Sequence, residues 1–327
     1  MDVARAPVNR RFTLAPMMDW SDRHCRYLWR LISQHSVVYS EMVTTAALLH
    51  GGQHERHLGY NEVEHPIALQ LGGSSPADLG HCAKLAEDWG YDEVNLNCGC
   101  PSDRVQEGKI GAILMAEPAL VADCIKAMQD ACSIDVTIKH RIGIDDMEDY
   151  ADMCRFVEAV AETGCKTFIV HARKAWLKGL SPKENREVPP LRYPLVHQLK
   201  LEYPELEIII NGGLKNLDDC EQQLQEVDGV MVGREAYSNP YLLAEVDQRI
   251  YGDDHTIPDR MSIYQQYLEY CREQHALGQK LHFMSRHVLG LFQGQAGARQ
   301  FRRHISENIH KSGAGMDVLE AAAEFIR

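Results

Sequence analysis

Short, nearly uninterrupted apolar runs recur along the first part of the chain. Each is followed by a stretch whose apolar positions return every three or four residues. The runs Phe12–Met17, Ser36–Val43, Pro66–Gly72, Glu93–Asn97, Asp135–Arg141, Thr167–Ala172, Glu207–Asn211 and Gly229–Val232 predict eight strands. The intervals predict helices with start signals: Ser74-Ser75-Pro76 before 77–89, Glu117-Pro118 before 119–131, and Asn216 before 217–225. Strands that do not alternate fit a parallel sheet covered by helices. Eight strand–helix repeats fit a (β/α)8 TIM barrel. No Gly-x-Gly-x-x-Gly opens a helix and no Walker-type loop is present, which removes the usual signs of an open doubly wound sheet.

The pattern changes after Tyr251-Gly252-Asp253-Asp254. From Arg260 onward only the helical period remains, with Tyr264, Tyr267, Leu268 and Cys271, then Leu281, Met284, His287, Val288 and Leu291 on repeating faces. Gly290, Gly294, Gly297, Gly313 and Gly315 divide this region into short helices. The expected organisation is a barrel over 1–250 and a small all-helical domain over 251–327.

Composition sharpens this picture in two ways. The chain has 327 residues, 45% hydrophobic and 25% charged, enough for one large core and a second small unit. No apolar run reaches the roughly 18–20 residues of a membrane helix, and Met1-Asp2-Val3-Ala4-Arg5 lacks the apolar core of a signal peptide. A cytoplasmic protein with reduced thiols is expected, because its ten cysteines are irregularly spaced. Cys82, Cys124, Cys154 and Cys220 fall within helical patterns and read as core fillers. Nothing calls for an obligate protein partner.

A net charge of −13 argues against a nucleic-acid partner until its distribution is considered. Arg286, Arg299, Arg302, Arg303 and Lys311 stand against Glu307 alone over 286–311. Over 173–192, Arg173, Lys174, Lys178, Lys183, Arg186 and Arg192 stand against Glu184 and Glu187. Acidic surface beyond a Debye length of about 8 Å is largely screened, so two such patches can dominate binding locally. They fit either solvated faces or a polyanion site.

Function in a barrel sits where strands end. The strand ends here are polar: Ala15-Pro16-Met17-Met18-Asp19, Gln70, Asn97, Lys139 with Arg141, His171 with Arg173, Asn211-Gly212-Gly213 and Gly233-Arg234. Asn211-Gly212-Gly213 alone is also what a tight turn needs. Paired with Gly233-Arg234 one strand later, it favours a phosphate held by backbone N–H groups and a guanidinium. Lys139 and His171 lie inside apolar strands, where each requires an ion-pair partner or a ligand. Gln70 carries the donor and acceptor that suit the carbonyl and N–H edge of a heteroaromatic ring.

The fourth strand runs into Asn95-Leu96-Asn97-Cys98-Gly99-Cys100-Pro101-Ser102-Asp103-Arg104, a turn that holds a thiol at the barrel mouth. No second Cys or His pair follows at zinc-binding spacing, so no metal is expected. Together with the strand-end set, this loop resembles the tRNA-dihydrouridine synthases, flavin enzymes that reduce uridine in tRNA. Arg141-Ile142-Gly143-Ile144-Asp145 and the insert 174–190 look most like the bacterial A-type subfamily, which acts on the D-loop at positions 20 and 20a. The resemblance covers essentially the whole chain.

The resemblance implies flavin mononucleotide (FMN) on Pro16, Met17, Met18, Gln70, Lys139, His171, Asn211, Gly212, Gly213, Gly233 and Arg234, and tRNA on Asn97, Lys183, Arg186, Arg299 and Arg302. It implies hydride transfer from reduced flavin to C6 of uracil and proton transfer from Cys100 to C5, with Cys98 two residues away and Arg104 favouring thiolate. NADPH is the implied reductant, and the sequence does not separate it from NADH. Two other classes use parts of this pattern: a flavin barrel acting on free pyrimidines has no use for the helical region, and a non-catalytic RNA-binding protein needs neither Lys139 nor Cys100.

Overall fold

The computed structural model describes residues 7–326 apart from 104, 105, 107 and 148, so Arg104 and Met1–Arg5 lie outside the described residues. Eight parallel strands close into a barrel in chain order: β1 Phe12–Leu14, β2 Val37–Thr44, β3 Ile67–Gly72, β4 Glu93–Cys98, β5 Asp135–Arg141, β6 Thr167–His171, β7 Glu207–Asn211 and β8 Gly229–Val232. Closure is made by β1 against β8, with Phe12 opposite Val230. The predicted strands correspond one for one. The first is shorter than predicted, because the chain leaves the sheet after Leu14 and turns at 18–20, where the Trp20 and Ser21 N–H groups donate to the Met17 carbonyl.

Covering helices begin where the sequence signals them. The Ser75 hydroxyl accepts from the Asp78 N–H at the start of Pro76–Asp88, and Asn216 Oδ1 accepts from the Asp219 N–H at the start of Leu217–Gln223. Cys82, Cys124, Cys154 and Cys220 are buried under these and neighbouring helices. Among the described residues no helix is long and apolar enough to cross a membrane.

Alternate strand residues point into the barrel and form layers. At the end where the strands begin the layer is charged. Arg10 reaches Glu93 Oε2 at 2.7 Å, Asp135 Oδ2 at 2.5 Å and Glu207 Oε2 at 3.1 Å, which closes the barrel floor. Val37, Tyr39, Ala68, Ile169, Ile209 and Met231 fill the middle. Gln70, Asn97, Lys139, His171 and Asn211 form a polar layer at the mouth.

The C-terminal helices Arg260–Ala276, Leu281–Ser285, Ala298–Asn308 and Met316–Ala323 enclose Tyr264, Phe292 and Phe301, whose rings meet edge to face at 4.9–5.6 Å between centroids. This cap sits on the barrel helix Arg23–Ile32. Tyr27 and Tyr270 stack at 3.9 Å, and Tyr270 Oη bonds His24 Nδ1 at 2.8 Å. Asp22 caps that helix by accepting from the His24 and Cys25 N–H groups, and it also accepts from Arg286 Nη2 at 2.5 Å and from His287 Nε2 at 3.1 Å. Barrel and cap residues belong to one continuous hydrophobic core.

Candidate active site

The Asn97 side chain shapes the cysteine loop. Its Oδ1 accepts from the backbone N–H groups of Gly99 and Cys100, both at 3.0 Å, while its Nδ2 donates to Gln70 Oε1 at 2.8 Å. The loop turns outward as a result. Cys98 is fully buried beside Cys124 and its thiol is pushed well above its ordinary value by burial. Cys100 is half-buried at the mouth, near enough to Lys139, Arg141 and Arg186 to act on the charge of each.

Arg141 ties this loop to the rest of the rim. Its Nε donates to the Gly99 carbonyl at 2.9 Å, and its Nη1 donates to the carbonyls of Asn185 at 3.0 Å and Lys174 at 3.2 Å. Three backbone oxygens and, among the described residues, no carboxylate bond a guanidinium whose residue is 3% exposed. Burial therefore pulls it down to about 10. The expectations above assigned Arg141 no role. Its inward register two residues beyond Lys139 was the available signal.

Lys139 donates to Asn211 Oδ1 at 3.1 Å and has no carboxylate partner among the described residues. Burial, with Arg141 nearby, lowers it to about 7. The His171 ring is buried, has no hydrogen-bond partner among the described residues, and packs against Gly212, where a Cβ would lie 2.6 Å from its Cδ2. Burial and the surrounding arginines and Lys139 drive its pKa well down, so the ring is neutral. Gln70 spends one amide hydrogen on Asn95 and one lone pair on Asn97, which leaves one donor and one acceptor site for a ligand edge.

Gly212 and Gly213 have φ of 112° and 76°, and a Cβ on Gly213 would meet Leu191 Cδ1 at 2.4 Å, so both positions require glycine. Gly233 lies beside them in the sheet order and approaches Ala15 and Met17, bringing the β1 and β8 loops together. Met18 is exposed on that rim. Arg234 is exposed and pairs with Glu187 at 2.7 Å, so an acidic residue of the insert already occupies the predicted phosphate ligand. The predicted cofactor set thus converges on the mouth from β1, β3, β5, β6, β7 and β8.

The predicted RNA set divides into three places. Asn97 faces inward, with only one N–H free of the loop and Gln70. Lys183 and Arg186 are exposed on the insert. Arg299 and Arg302 lie on the cap, where with Arg286, Tyr237, Ser238 and Gln293 they line a groove of about 610 Å³. Trp20 stacks on Tyr237 at 4.5 Å between that groove and the barrel mouth.

The profile of the family described as "Dihydrouridine synthase (Dus)" matches residues 13–327. This chain belongs to the dihydrouridine synthase family. It is similar to the tRNA-dihydrouridine(20/20a) synthases of Vibrio cholerae, with 56% identity over 95% of both chains. The protein of that name from Salmonella typhimurium shares 57% identity over 97% of this chain and 95% of its own. That from Pseudomonas putida shares 56% identity over 99% of this chain and 96% of its own. Dihydrouridine synthases are flavin-dependent. The residues at this mouth fit such a group: a half-buried lysine with no carboxylate partner and a neutral imidazole with no hydrogen-bond partner among the described residues, a half-used amide, and a glycine turn that leaves no room for a Cβ.

Proposed function

We propose that this chain reduces the 5,6 double bond of uridine in tRNA to dihydrouridine, at D-loop positions 20 and 20a, using FMN held at the barrel mouth and NADPH as reductant. The observation that carries this reading is the separation of the two thiols. Cys98 is sealed in the core, and Cys100 is presented to the mouth among Lys139, Arg141 and Arg186.

When bound, the reduced flavin supplies hydride to C6 of the uracil. Cys100 holds the proton that C5 takes up, and Asn97 and Arg141 hold the loop that aims it. Lys139 and His171 would hold the flavin's pyrimidine edge, and Lys139 would offset negative charge there. Gln70 would offer its remaining donor and acceptor to the same edge, and Gly212, Gly213, Gly233 and Arg234 would take the phosphate. Pro16, Met17 and Met18, on the loop after β1, would cover the ring.

A tRNA base must leave its stack to enter the mouth, at a cost of a few kcal/mol. Phosphate contacts from Lys183 and Arg186 on the insert and from Arg299 and Arg302 on the cap offset that cost, and the remaining Asn97 N–H meets the base. In this reading residues 1–250 carry the chemistry, residues 251–327 hold RNA, and the enzyme works in the cytoplasm. The reductant enters by the same mouth, so flavin reduction and uridine reduction alternate.

Two measurements test the proposal. The purified protein should carry a flavin absorption band and release FMN on denaturation. Dihydrouridine mapped in tRNA from cells lacking the protein should be lost at positions 20 and 20a only. A colourless protein that takes up no FMN, or an unchanged modification map, would refute it.

A further inference from the structure

Five hydrogen bonds run in one direction down the barrel interior. The Cys100 N–H donates to Asn97 Oδ1 at 3.0 Å, Asn97 Nδ2 to Gln70 Oε1 at 2.8 Å, and Gln70 Nε2 to Asn95 Oδ1 at 2.8 Å. Asn95 Nδ2 then donates to Thr137 Oγ1 at 2.8 Å, and the Thr137 hydroxyl to Glu93 Oε1 at 2.5 Å. The other Glu93 oxygen accepts from Arg10 Nε at 2.7 Å. The line therefore connects the ion pairs of the barrel floor to the cysteine loop at its mouth.

Its direction is dictated at both ends. A side-chain amide can turn over and exchange its oxygen and nitrogen unless its neighbours forbid it. At the mouth the neighbours are backbone N–H groups, which only donate. At the floor the neighbour is a carboxylate, which only accepts. Between them Gln70, Asn95 and Thr137 are at most 1% exposed, so no water can rescue a reversed amide. The floor is the stronger anchor, because hydrogen bonds to a buried charge exceed those to neutral groups.

We infer that Glu93, acting through Thr137 and Asn95, is the positioning group that fixes the amide orientations of Gln70 and Asn97 and thereby the cysteine loop. The inference rests on the reading of Cys100 and Gln70 given above and assigns functions to three residues that touch neither substrate nor cofactor. It also explains a register feature: Glu93, Asn95 and Asn97 occupy successive inward positions of β4, where a barrel strand ordinarily places apolar residues.

The test is backbone amide hydrogen exchange in the flavin-free full chain. Thr137→Val keeps the shape of the side chain but removes the link, and exchange at Gly99 and Cys100 should accelerate roughly tenfold. Thr137→Ser should restore it. Asn95→Leu breaks the adjacent link and should give the same acceleration, so the result does not depend on one variant folding. Tyr39→Phe deletes another buried hydrogen bond to Glu93 Oε1, of 2.6 Å, outside the line, and should leave Gly99 and Cys100 unchanged. Unchanged exchange in Thr137→Val or Asn95→Leu, or equal acceleration in Tyr39→Phe, would overturn the inference. With FMN restored, Thr137→Val should slow uridine reduction, and Thr137→Ser should recover it. A wild-type protein that forms no dihydrouridine would instead count against the reading of Cys100, and the exchange data would still decide the relay.

Discussion

Cys98 and Cys100 are two residues apart and serve opposite sides of the barrel wall: Cys98 lies beside Cys124 in the core, whereas Cys100 shares the mouth with Lys139 and Arg141. A thiol as general acid contributes typically 10²–10⁴ in rate. Cys100→Ala should slow uridine reduction by about that factor and leave flavin reduction by NADPH intact. Cys98→Ala should leave both half-reactions near wild type and lower the melting temperature slightly, as removal of a buried sulfur does. Stopped-flow measurement of the two half-reactions separates these outcomes.

Arg141 predicts a different signature. Its three carbonyl acceptors hold the cysteine loop to the insert, so Arg141→Met should lower kcat for uridine reduction on the order of 10–100-fold by misplacing the thiol. Flavin affinity should change little. Arg141→Lys retains the charge but not the fork geometry and should recover only part of the loss. Single-turnover kinetics with pre-reduced enzyme reads this directly.

Lys139 makes flavin affinity depend on pH. Its value in the flavin-free protein is about 7, and an anionic partner would raise it, so binding takes up a proton. Affinity should be greatest below that value and fall by up to about tenfold per unit as pH rises through it. Folding responds with the opposite sense. The unfolded chain keeps this lysine protonated to its ordinary value, so the burial penalty is full below about 7 and is relieved as pH rises above it. Lys139→Met should flatten both profiles in titrations of FMN fluorescence and thermal unfolding, while retaining FMN poorly.

The Arg234–Glu187 pair competes with any phosphate. Because both side chains are more than 40% exposed, the pair is worth little, about 0–1 kcal/mol. Glu187→Gln should therefore tighten FMN binding by no more than about fivefold. Arg234→Ala should weaken it. Equilibrium dialysis of the two variants at one ionic strength gives the comparison.

For the cap, Arg299 and Arg302 substituted together by Ala should weaken tRNA binding and reduce the slope of log affinity against log salt by up to about two units. Flavin reduction by NADPH involves no RNA and should be unaffected. Filter binding across a salt series checks both statements.

The strands and their order were legible because parallel barrel strands are buried on both faces, so each appears as a compact apolar run such as Thr167–His171. The polar strand ends were legible for the same reason, since Lys139 and His171 interrupt those runs. What the chain did not disclose is who meets whom across it. Asp22 and Arg286, Arg141 and Asn185, and Arg234 and Glu187 are each brought together by tertiary packing of segments far apart in the chain, and no local period links them. The line from Glu93 to Asn97 was half-visible: period-two spacing puts the three β4 residues on one face, but only the sheet register brings Gln70 and Thr137 between them.

The Tyr27–Tyr270 stack and the Asp22–Arg286 contact give the molecule a fixed gauge. Since the cap shares its packing with the first barrel helix, the span from the arginine groove to Cys100 is set by the fold. An RNA seated on both must bring its own curvature, and only the nucleotide at the matching distance along the strand arrives at the thiol. Under the proposed function, choice of the target uridine then becomes a measurement of length.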